Sequence, residues 1–171
     1  MKSNGTAAAR KLVKSKAGIF LDVSYGGEPQ AQSVVLSKDL AHDPIVLPLP
    51  LPDASVHTCV VQHVLEFLPA ERWFDWWNEL HRVMRPGGIV YVSGPYGGDE
   101  SRGWLSDPTH RTRVVEETFV WLDPRTPFYV KHKDLGRPEP QPWQIAATAR
   151  VPAGHGTYSY NVTLRKPEAT A

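Results

Sequence analysis

The clearest pattern of apolar and polar positions lies between residues 56 and 96. Val56–Gln62 is a β-branched, mostly apolar run, which is typical of a buried strand. An amphipathic segment follows Pro69 and ends at the Pro-Gly-Gly residues 86–88, because proline cannot continue a helix and glycine accepts a left-handed cap. Its apolar positions recur at helical spacing: Trp73, Trp76, Trp77, Leu80, Val83 and Met84. Another strand starts at Ile89, so the stretch predicts a strand, a helix and a strand joined by a right-handed parallel crossover.

Two shorter apolar runs precede this stretch. Residues 18–23 (GIFLDV) predict a first strand followed by a glycine-containing turn, and residues 33–36 (SVVL) predict a second strand that ends near Asp39. The chain between these strands is too short for a full crossover helix. Residues 44–53 alternate proline with aliphatic residues, so they predict an extended connector and not a central strand.

The last third of the chain predicts a long loop and a hairpin. Residues 94–113 are polar and contain several glycines, which predicts a loop long enough to act as a lid, and residues 114–121 predict a short helix. Residues 143–151 and 158–164 each alternate apolar and polar positions. The five residues 152–156 (PAGHG) lie between them, so this pattern predicts a β-hairpin with a five-residue connection.

Composition and charge limit the possible functions. The 171 residues fit one domain, which we place at residues 18–166 between a basic N-terminal tail (1–17) and a C-terminal tail (167–171). The formal net charge of +1 provides no basic field, which argues against nucleic acid as a partner. The single cysteine excludes an internal disulfide and fits a reducing compartment, and no apolar run reaches membrane-spanning length. We therefore expect a cytoplasmic protein with no membrane contact.

Three motifs resemble the class I S-adenosylmethionine-dependent methyltransferases. Residues 63–68 (HVLEFL) resemble the family's "h-x-L-E-h-L" run after a central strand, and residues 82–88 (RVMRPGG) resemble its "R-V-L-K-P-G-G" signature. Residues 107–111 (DPTHR) resemble an element of a subgroup often found in phage and bacterial surface-sugar contexts. The resemblance implies an α/β fold with a three-layer, Rossmann-like, mostly parallel sheet that ends in an antiparallel β-hairpin. The cofactor-binding half is expected to be shortened, because the family's third strand and its neighbouring helix have almost no room.

The resemblance also implies S-adenosylmethionine as the cofactor. The cofactor-binding candidates are Asp22, Ser24, Gly26, Asp39, Asp43 and Gln62. Residues 21–26 (LDVSYG) occupy the family's "L-D-x-G-x-G" turn, where glycines let the backbone approach the methionine end of the cofactor, and Ser24 replaces the first glycine. Asp39 is the candidate for the ribose hydroxyls and Asp43 for the adenine end; the alternative is that both acids cap their own loops. We expect an open cleft between Gly26, Asp39 and Gln62.

The catalytic candidates are three residues near the expected acceptor position: His110, His63 and Asp107. Methyl transfer from a sulfonium is an in-line displacement, in which aligning the reactants contributes about 7–11 kcal/mol and a base is required only if the acceptor must lose a proton. We favour His110 as the base or acceptor-binding group, ahead of His63. The alternative is that His63 is a capping residue and that His110 anchors its loop through Asp107. The histidine and cysteine spacings do not match a metal site, so we expect no metal.

Two functions are consistent with these residues. The first is methyl transfer to a small-molecule or sugar-like acceptor. The alternative is a non-catalytic, methyltransferase-like binding or structural module in a larger assembly. It is favoured by the serine at position 24, by the missing third β/α unit, and by Phe67, which stands where the family often has a polar residue. The tryptophan stripe of the central helix predicts either core packing or a contact in a homo-oligomer or larger assembly.

Overall fold

The structure of the protein is a computed structural model that describes residues 18–25, 33–99, 101–135 and 139–168. The strands of this part of the chain are β1 (Ile19–Asp22), β2 (Val34–Val35), β3 (Val56–Gln62), β4 (Met84–Pro95), β5 (Gln144–Gly154) and β6 (Thr157–Arg165). The helices are α1 (Leu36–Asp39), α2 (Trp73–Val83) and α3 (Pro127–Asp134). Short 3₁₀ turns are formed by Leu65–Phe67, Ala70–Arg72 and Glu116–Leu122.

These strands form one sheet in the order β2-β1-β3-β4-β6-β5. The pairs β1–β2, β1–β3 and β3–β4 are parallel, whereas β6 is antiparallel to both β4 and β5. The predicted fold class is therefore confirmed: a mixed, mostly parallel α/β sheet that ends in an antiparallel hairpin. The chain moves outward from β1 to β2 and then returns to the other side of β1. Open α/β sheets bind ligands beyond the carboxyl ends of their strands at such a switch point.

One face of this sheet carries the hydrophobic core. Its buried residues on the central and last strands are Leu21, Cys59, Val61, Val90, Val92, Tyr160, Val162 and Leu164. From α2, Trp76 and Trp77 are completely buried, and Trp77 meets Trp76, Phe119 and Trp143 edge to face with ring centroids 5.1, 5.8 and 5.7 Å apart. Aromatic pairs in this geometry add about 0.5–1.5 kcal/mol each beyond their buried area. The tryptophan stripe is thus part of the core, the first of the two roles predicted for it.

The central helix ends earlier than the sequence predicts. The Pro-Gly-Gly residues 86–88 do not terminate α2, because the helix stops at Val83 and these residues lie inside β4. Long-range pairing decides this boundary: Met84 already lies opposite Val56, and the ladder resumes with Ile89 opposite Thr58. The extra residues on β4 form a bulge, and Gly87 has a φ of +74° there, which glycine adopts without steric cost.

The C-terminal strands form the predicted hairpin with a tighter turn than expected. Because β5 extends to Gly154 and β6 starts at Thr157, only His155 and Gly156 connect them, and the predicted five-residue connection is wrong. Both turn residues have positive φ, 50° for His155 and 71° for Gly156. Two positive φ values are the requirement of a type I′ turn, whose twist matches that of the flanking strands.

Between β1 and β3 the described residues form only one short strand and one helical turn, and their boundaries differ from the predicted ones. β2 contains only Val34–Val35, and α1 begins directly afterwards, so Asp39 ends a helical turn and not a strand. The connector at residues 44–53 is not a strand, as predicted, but it consists of turns and bends and is not the extended segment that its prolines predict. The short helix predicted at residues 114–121 is the 3₁₀ turn Glu116–Leu122, which buries Phe119.

The whole predicted N-terminal tail, residues 1–17, and residues 169–171 of the predicted C-terminal tail lie outside the described residues. Within the described ranges, no helix combines the length and apolar character that crossing a bilayer requires.

Candidate active site

A cleft of about 440 Å³ opens beyond the carboxyl ends of β1 and β3. Its lining residues are Tyr25, Ile45, Phe67, Thr109 and Arg111. They come from four separate segments: the turn after β1, the loop after α1, the 3₁₀ turn after β3 and the lid loop after β4. The cleft therefore lies at the switch point of the sheet, and its volume is within the range of small-molecule sites.

Tyr25 forms one wall of the cleft and is held at both ends. Its backbone N–H donates to the carbonyl of Gln62 over 3.0 Å, and its hydroxyl donates to a carboxylate oxygen of Asp43. Its ring meets that of Phe67 edge to face, with centroids 5.4 Å apart. Burial, followed by the contact with Asp43, raises the pKa of Tyr25, so the hydroxyl remains a donor at neutral pH. These contacts give the cleft a fixed aromatic corner.

The turn after β1 uses its backbone amides internally. Asp22 is 3% exposed, and its carboxylate accepts the N–H of Ser24 over 3.0 Å, while the N–H of Val23 bonds to the carbonyl of Val60. The hydroxyl of Ser24 is buried and has no hydrogen-bond partner within the described part of the chain. It is therefore the polar atom of this turn that a ligand would satisfy. Gly26, the third candidate of this turn, lies outside the described residues.

The two candidate acids of the shortened half have different positions. Asp39 is exposed, and its carboxylate accepts the N–H of Val35 over 2.7 Å, so it caps the start of α1. Asp43 accepts the Tyr25 hydroxyl and the N–H of Ile45, and both of these partners line the cleft. Both acids thus bond to backbone of their own loop, as the capping alternative predicts, and Asp43 in addition lies at the cleft. Gln62 contributes its carbonyl to the bond with Tyr25.

The histidine of the DPTHR segment points into the protein. The side chain of His110 is 7% exposed, its Nδ1 donates to the carbonyl of Trp104 over 2.8 Å, and its ring meets Phe67 with centroids 5.1 Å apart. Asp107 is 3.8 Å from His110 Nε2 and accepts the hydroxyl and amide of Thr109, whose bonds lower the pKa of Asp107. The geometry of His110 favours the loop-anchor alternative, and its chain neighbours Thr109 and Arg111 are the residues that line the cleft.

The side chain of His63 is more exposed than that of His110. It directly follows β3, its side chain is 49% exposed, and its Nδ1 donates to Glu66 over 3.0 Å. This hydrogen bond is the largest cause of a raised pKa for His63, against a smaller opposing effect of burial. No group of three or more metal-ligating side chains occurs in the described ranges.

Sequence patterns do not reveal most of the cleft lining. They mark Tyr25 and Ile45 only as parts of a turn and a connector, and Phe67 only as a departure from a motif. The DPTHR motif locates the segment but does not say which of its side chains face the cleft. Assigning chemistry to the histidine alone overlooks Thr109 and Arg111.

The family comparison agrees with this geometry. The family of methyltransferase domains matches residues 19–92, which span β1 to the middle of β4 and include the cleft residues Tyr25, Ile45 and Phe67. No curated protein matches the chain.

Several solved structures share the fold. The 1,6-didemethyltoxoflavin-N1-methyltransferase of Burkholderia thailandensis, solved with 1,6-didemethyltoxoflavin and S-adenosylhomocysteine, is 12% identical with a TM-score of 0.56 over 98% of this chain and 80% of that chain. A SAM-dependent methyltransferase of Archaeoglobus fulgidus is 16% identical with a TM-score of 0.55 over 94% and 92% of the two chains. A 16S rRNA (adenine(1408)-N(1))-methyltransferase variant from Catenulisporales acidiphilia is 11% identical with a TM-score of 0.56 over 97% and 93%. At these identities the likeness shows the fold alone.

Proposed function

We propose that this protein, whose residues 19–92 match the family of methyltransferase domains, transfers a methyl group from S-adenosylmethionine to a small-molecule or sugar-like acceptor. The observation that carries this proposal is the cleft of about 440 Å³ at the switch point of the sheet. A cleft formed by four segments at this position has the size and the mixed apolar and polar lining of a small-molecule site. The solved structures that share this fold include enzymes named for small-molecule and for rRNA acceptors, and the near-neutral charge of this chain favours the small molecule.

The residues of the cleft fit this cofactor on two counts. Tyr25, Ile45 and Phe67 provide apolar walls for the planar base of a nucleoside, with Asp43 at the rim as an acceptor for its polar edge. The unpartnered hydroxyl of Ser24 lies at the turn where the methionine end is expected. S-adenosylmethionine, when bound, supplies the electrophilic methyl group. The chain positions the acceptor, excludes water and holds any proton that the acceptor loses.

Titration calorimetry of the full chain with S-adenosylhomocysteine tests this proposal. We expect saturable binding, and we expect Phe67→Ala to weaken it about tenfold, because removing an apolar wall costs about 1.5 kcal/mol of burial. Phe128→Ala is the matched control, since Phe128 is an aromatic residue on α3, packed against Trp121 and away from the cleft lining. Absence of a heat signal at millimolar ligand would defeat the proposal, and so would equal weakening by both variants.

A second candidate function is the non-catalytic module. It is favoured by the turn after β1, where the amides of Val23, Ser24 and Tyr25 are all bonded within the chain and Ser24 stands where the family has glycine. Ser24→Gly separates the two functions. A methyltransferase binds S-adenosylhomocysteine as the wild type and more weakly once the Ser24 hydroxyl is removed, whereas a non-catalytic module binds the ligand in neither form.

A further inference from the structure

A buried acid supports the histidine that follows β3. Glu66 is completely buried, and its Oε1 accepts the Nδ1 proton of His63 over 3.0 Å. Its second carboxylate oxygen is buried and has no partner in the described part of the chain. Burying a carboxylate in this way is costly unless a cation or hydrogen-bond donor compensates it, and His63 is the side chain that does so.

The backbone fixes the position of this pair. His63 has a φ of +54°, in the left-handed region that is uncommon for residues other than glycine, and its N–H donates to the carbonyl of Ser93 on β4 over 3.1 Å. The carbonyl of Glu66 accepts two lid amides, from Arg111 at 2.6 Å and Thr112 at 3.1 Å. Backbone in this region persists only where surrounding contacts hold it, and such positions concentrate at functional sites.

His63 does not itself line the cleft, but it follows β3, at whose end the cleft opens, and the other nitrogen of its ring is left for a ligand. Nε2 has no hydrogen-bond partner among the described residues, and the side chain is half exposed beyond the carboxyl end of β3. The preceding residue, Gln62, binds Tyr25 of the cleft wall. Because Nδ1 must keep its proton to satisfy Glu66, the neutral ring has an unprotonated Nε2, which is the form that accepts a proton.

We propose that His63 is the general base of this site and that Glu66 is its positioning residue, so that the acceptor is a molecule whose nucleophilic oxygen or nitrogen carries a proton. This inference rests on the proposed methyl transfer and narrows its acceptor class. An acceptor without such a proton, for example a tertiary amine or a thioether, would have no use for the pair.

These groups account for every bond and charge that changes in the methyl transfer. Nε2 of His63 takes the proton from the O–H or N–H of the acceptor, and the electron pair of that bond becomes the nucleophile. The new bond forms to the methyl carbon of S-adenosylmethionine, the carbon–sulfur bond breaks, and its electron pair remains on sulfur as a neutral thioether. The positive charge passes from the sulfonium to the His63 imidazolium, where the Glu66 carboxylate stabilises it.

Other charged or titratable groups near the pair come from two further elements. Tyr160 on β6 is completely buried, and its pKa is raised by burial and by Glu66, so it stays neutral beside the carboxylate. Arg111 on the lid contacts Glu66 through its backbone amide.

Nitrogen-15 NMR of the full chain labelled at histidine tests the inference without knowledge of the acceptor. His63→Gln assigns the signal. We expect the neutral His63 to carry its proton on Nδ1 and to titrate above the ordinary histidine pKa, and we expect Glu66→Gln to lower its midpoint. Asp107→Asn is the matched control and should leave the His63 midpoint unchanged. A proton on Nε2, or a midpoint insensitive to Glu66→Gln, would overturn the inference.

Saturation with S-adenosylhomocysteine adds a second measurement. The ligand should shift the His63 signal, since its sulfur marks the reacting centre, and a saturated complex with an unmoved His63 signal would also overturn the inference. Calorimetry separates this result from a failure of the proposed function, because a chain that does not bind the ligand gives no heat. If Glu66→Gln does not fold, the proton position in the wild-type ring and the ligand-induced shift decide the question.

Discussion

At the scale of single residues, two serines with buried hydroxyls differ in whether the hydroxyl has a hydrogen-bond partner. Ser24 and Ser55 both have poorly exposed hydroxyls, but only Ser55 has a partner, the carbonyl of Pro52 at 2.7 Å, within the described part of the chain. An unsatisfied buried hydroxyl costs about 1–3 kcal/mol of stability, whereas a satisfied one contributes about 1 kcal/mol. A ligand that forms a hydrogen bond with the Ser24 hydroxyl would offset this cost in the bound protein.

Ser24→Ala should therefore stabilise the ligand-free chain by about 1 kcal/mol, because it removes a hydroxyl that has no partner among the described residues. The same variant should bind S-adenosylhomocysteine more weakly than the wild type. Ser55→Ala is the control, with the opposite expected effect on the free energy of unfolding. Urea denaturation measures both values, and a loss of stability in Ser24→Ala similar to that in Ser55→Ala would contradict the assignment of an unpartnered hydroxyl.

His81 gives the chain a specific sensitivity to acid. Burial lowers the pKa of His81 to about 4, with a smaller contribution from the nearby Lys166 ammonium. Its ring packs edge to face on Trp143, with centroids 5.4 Å apart. Because the folded pKa lies below the unfolded value of about 6.5, the unfolded chain binds the proton first, so this histidine reduces stability as pH falls from about 6.5 to about 4 and has no effect above about 7.5.

His81→Phe keeps a ring against Trp143 and removes the titration. The free energy of unfolding of the wild type relative to this variant should therefore be constant above about pH 7.5 and should fall progressively between about pH 6.5 and 4. Urea midpoints measured across this range check the difference. Parallel pH profiles for the two proteins would show that His81 is protonated as easily in the folded chain as in the unfolded chain.

At the scale of secondary-structure elements, periodicity predicts the existence of strands and helices better than their ends. The apolar spacing of Trp73, Trp76 and Trp77 is a local property, and it correctly predicts the buried face of α2. The end of α2 depends on Met84 pairing with Val56, a contact between distant segments that no local pattern contains. The hairpin turn is mispredicted for the same reason, because the ladder extends through Pro152 to Gly154.

The turn of this hairpin is open to a direct test. Gly156→Ala should destabilise the protein by about 1 kcal/mol, since alanine disfavours positive φ and a Cβ there would meet no other atom within 4 Å. His155→Asn should have the opposite sign, because asparagine tolerates the left-handed conformation and Asn-Gly is the preferred type I′ pair. Thermal unfolding of both variants measures the effects. Equal signs would indicate a turn of another type.

At the scale of the whole molecule, the site depends on contacts between distant segments. The lid is attached at both ends: the N–H of Tyr96 donates to the carbonyl of Tyr158, the N–H of Gly97 to that of Val114, and the amides of Arg111 and Thr112 to that of Glu66. Sequence motifs locate β1, the HVLEF run and the DPTHR segment, and these do meet at one edge of the sheet. Which side chains face the cleft could not be predicted, because docking of the lid onto Glu66 orients them.

A ligand in this cleft should therefore act on several segments at once. Saturating S-adenosylhomocysteine should contact groups from the turn after β1, the loop around Ile45, the 3₁₀ turn Leu65–Phe67 and the lid, so amide hydrogen exchange should slow in all four. The turn between β5 and β6 is the internal control, since none of its residues lines the cleft. Slowing confined to one segment would mean that the ligand binds elsewhere. If amide exchange slows in all four segments of the wild type but not in Phe67→Ala, the ligand occupies this cleft and depends on its Phe67 wall.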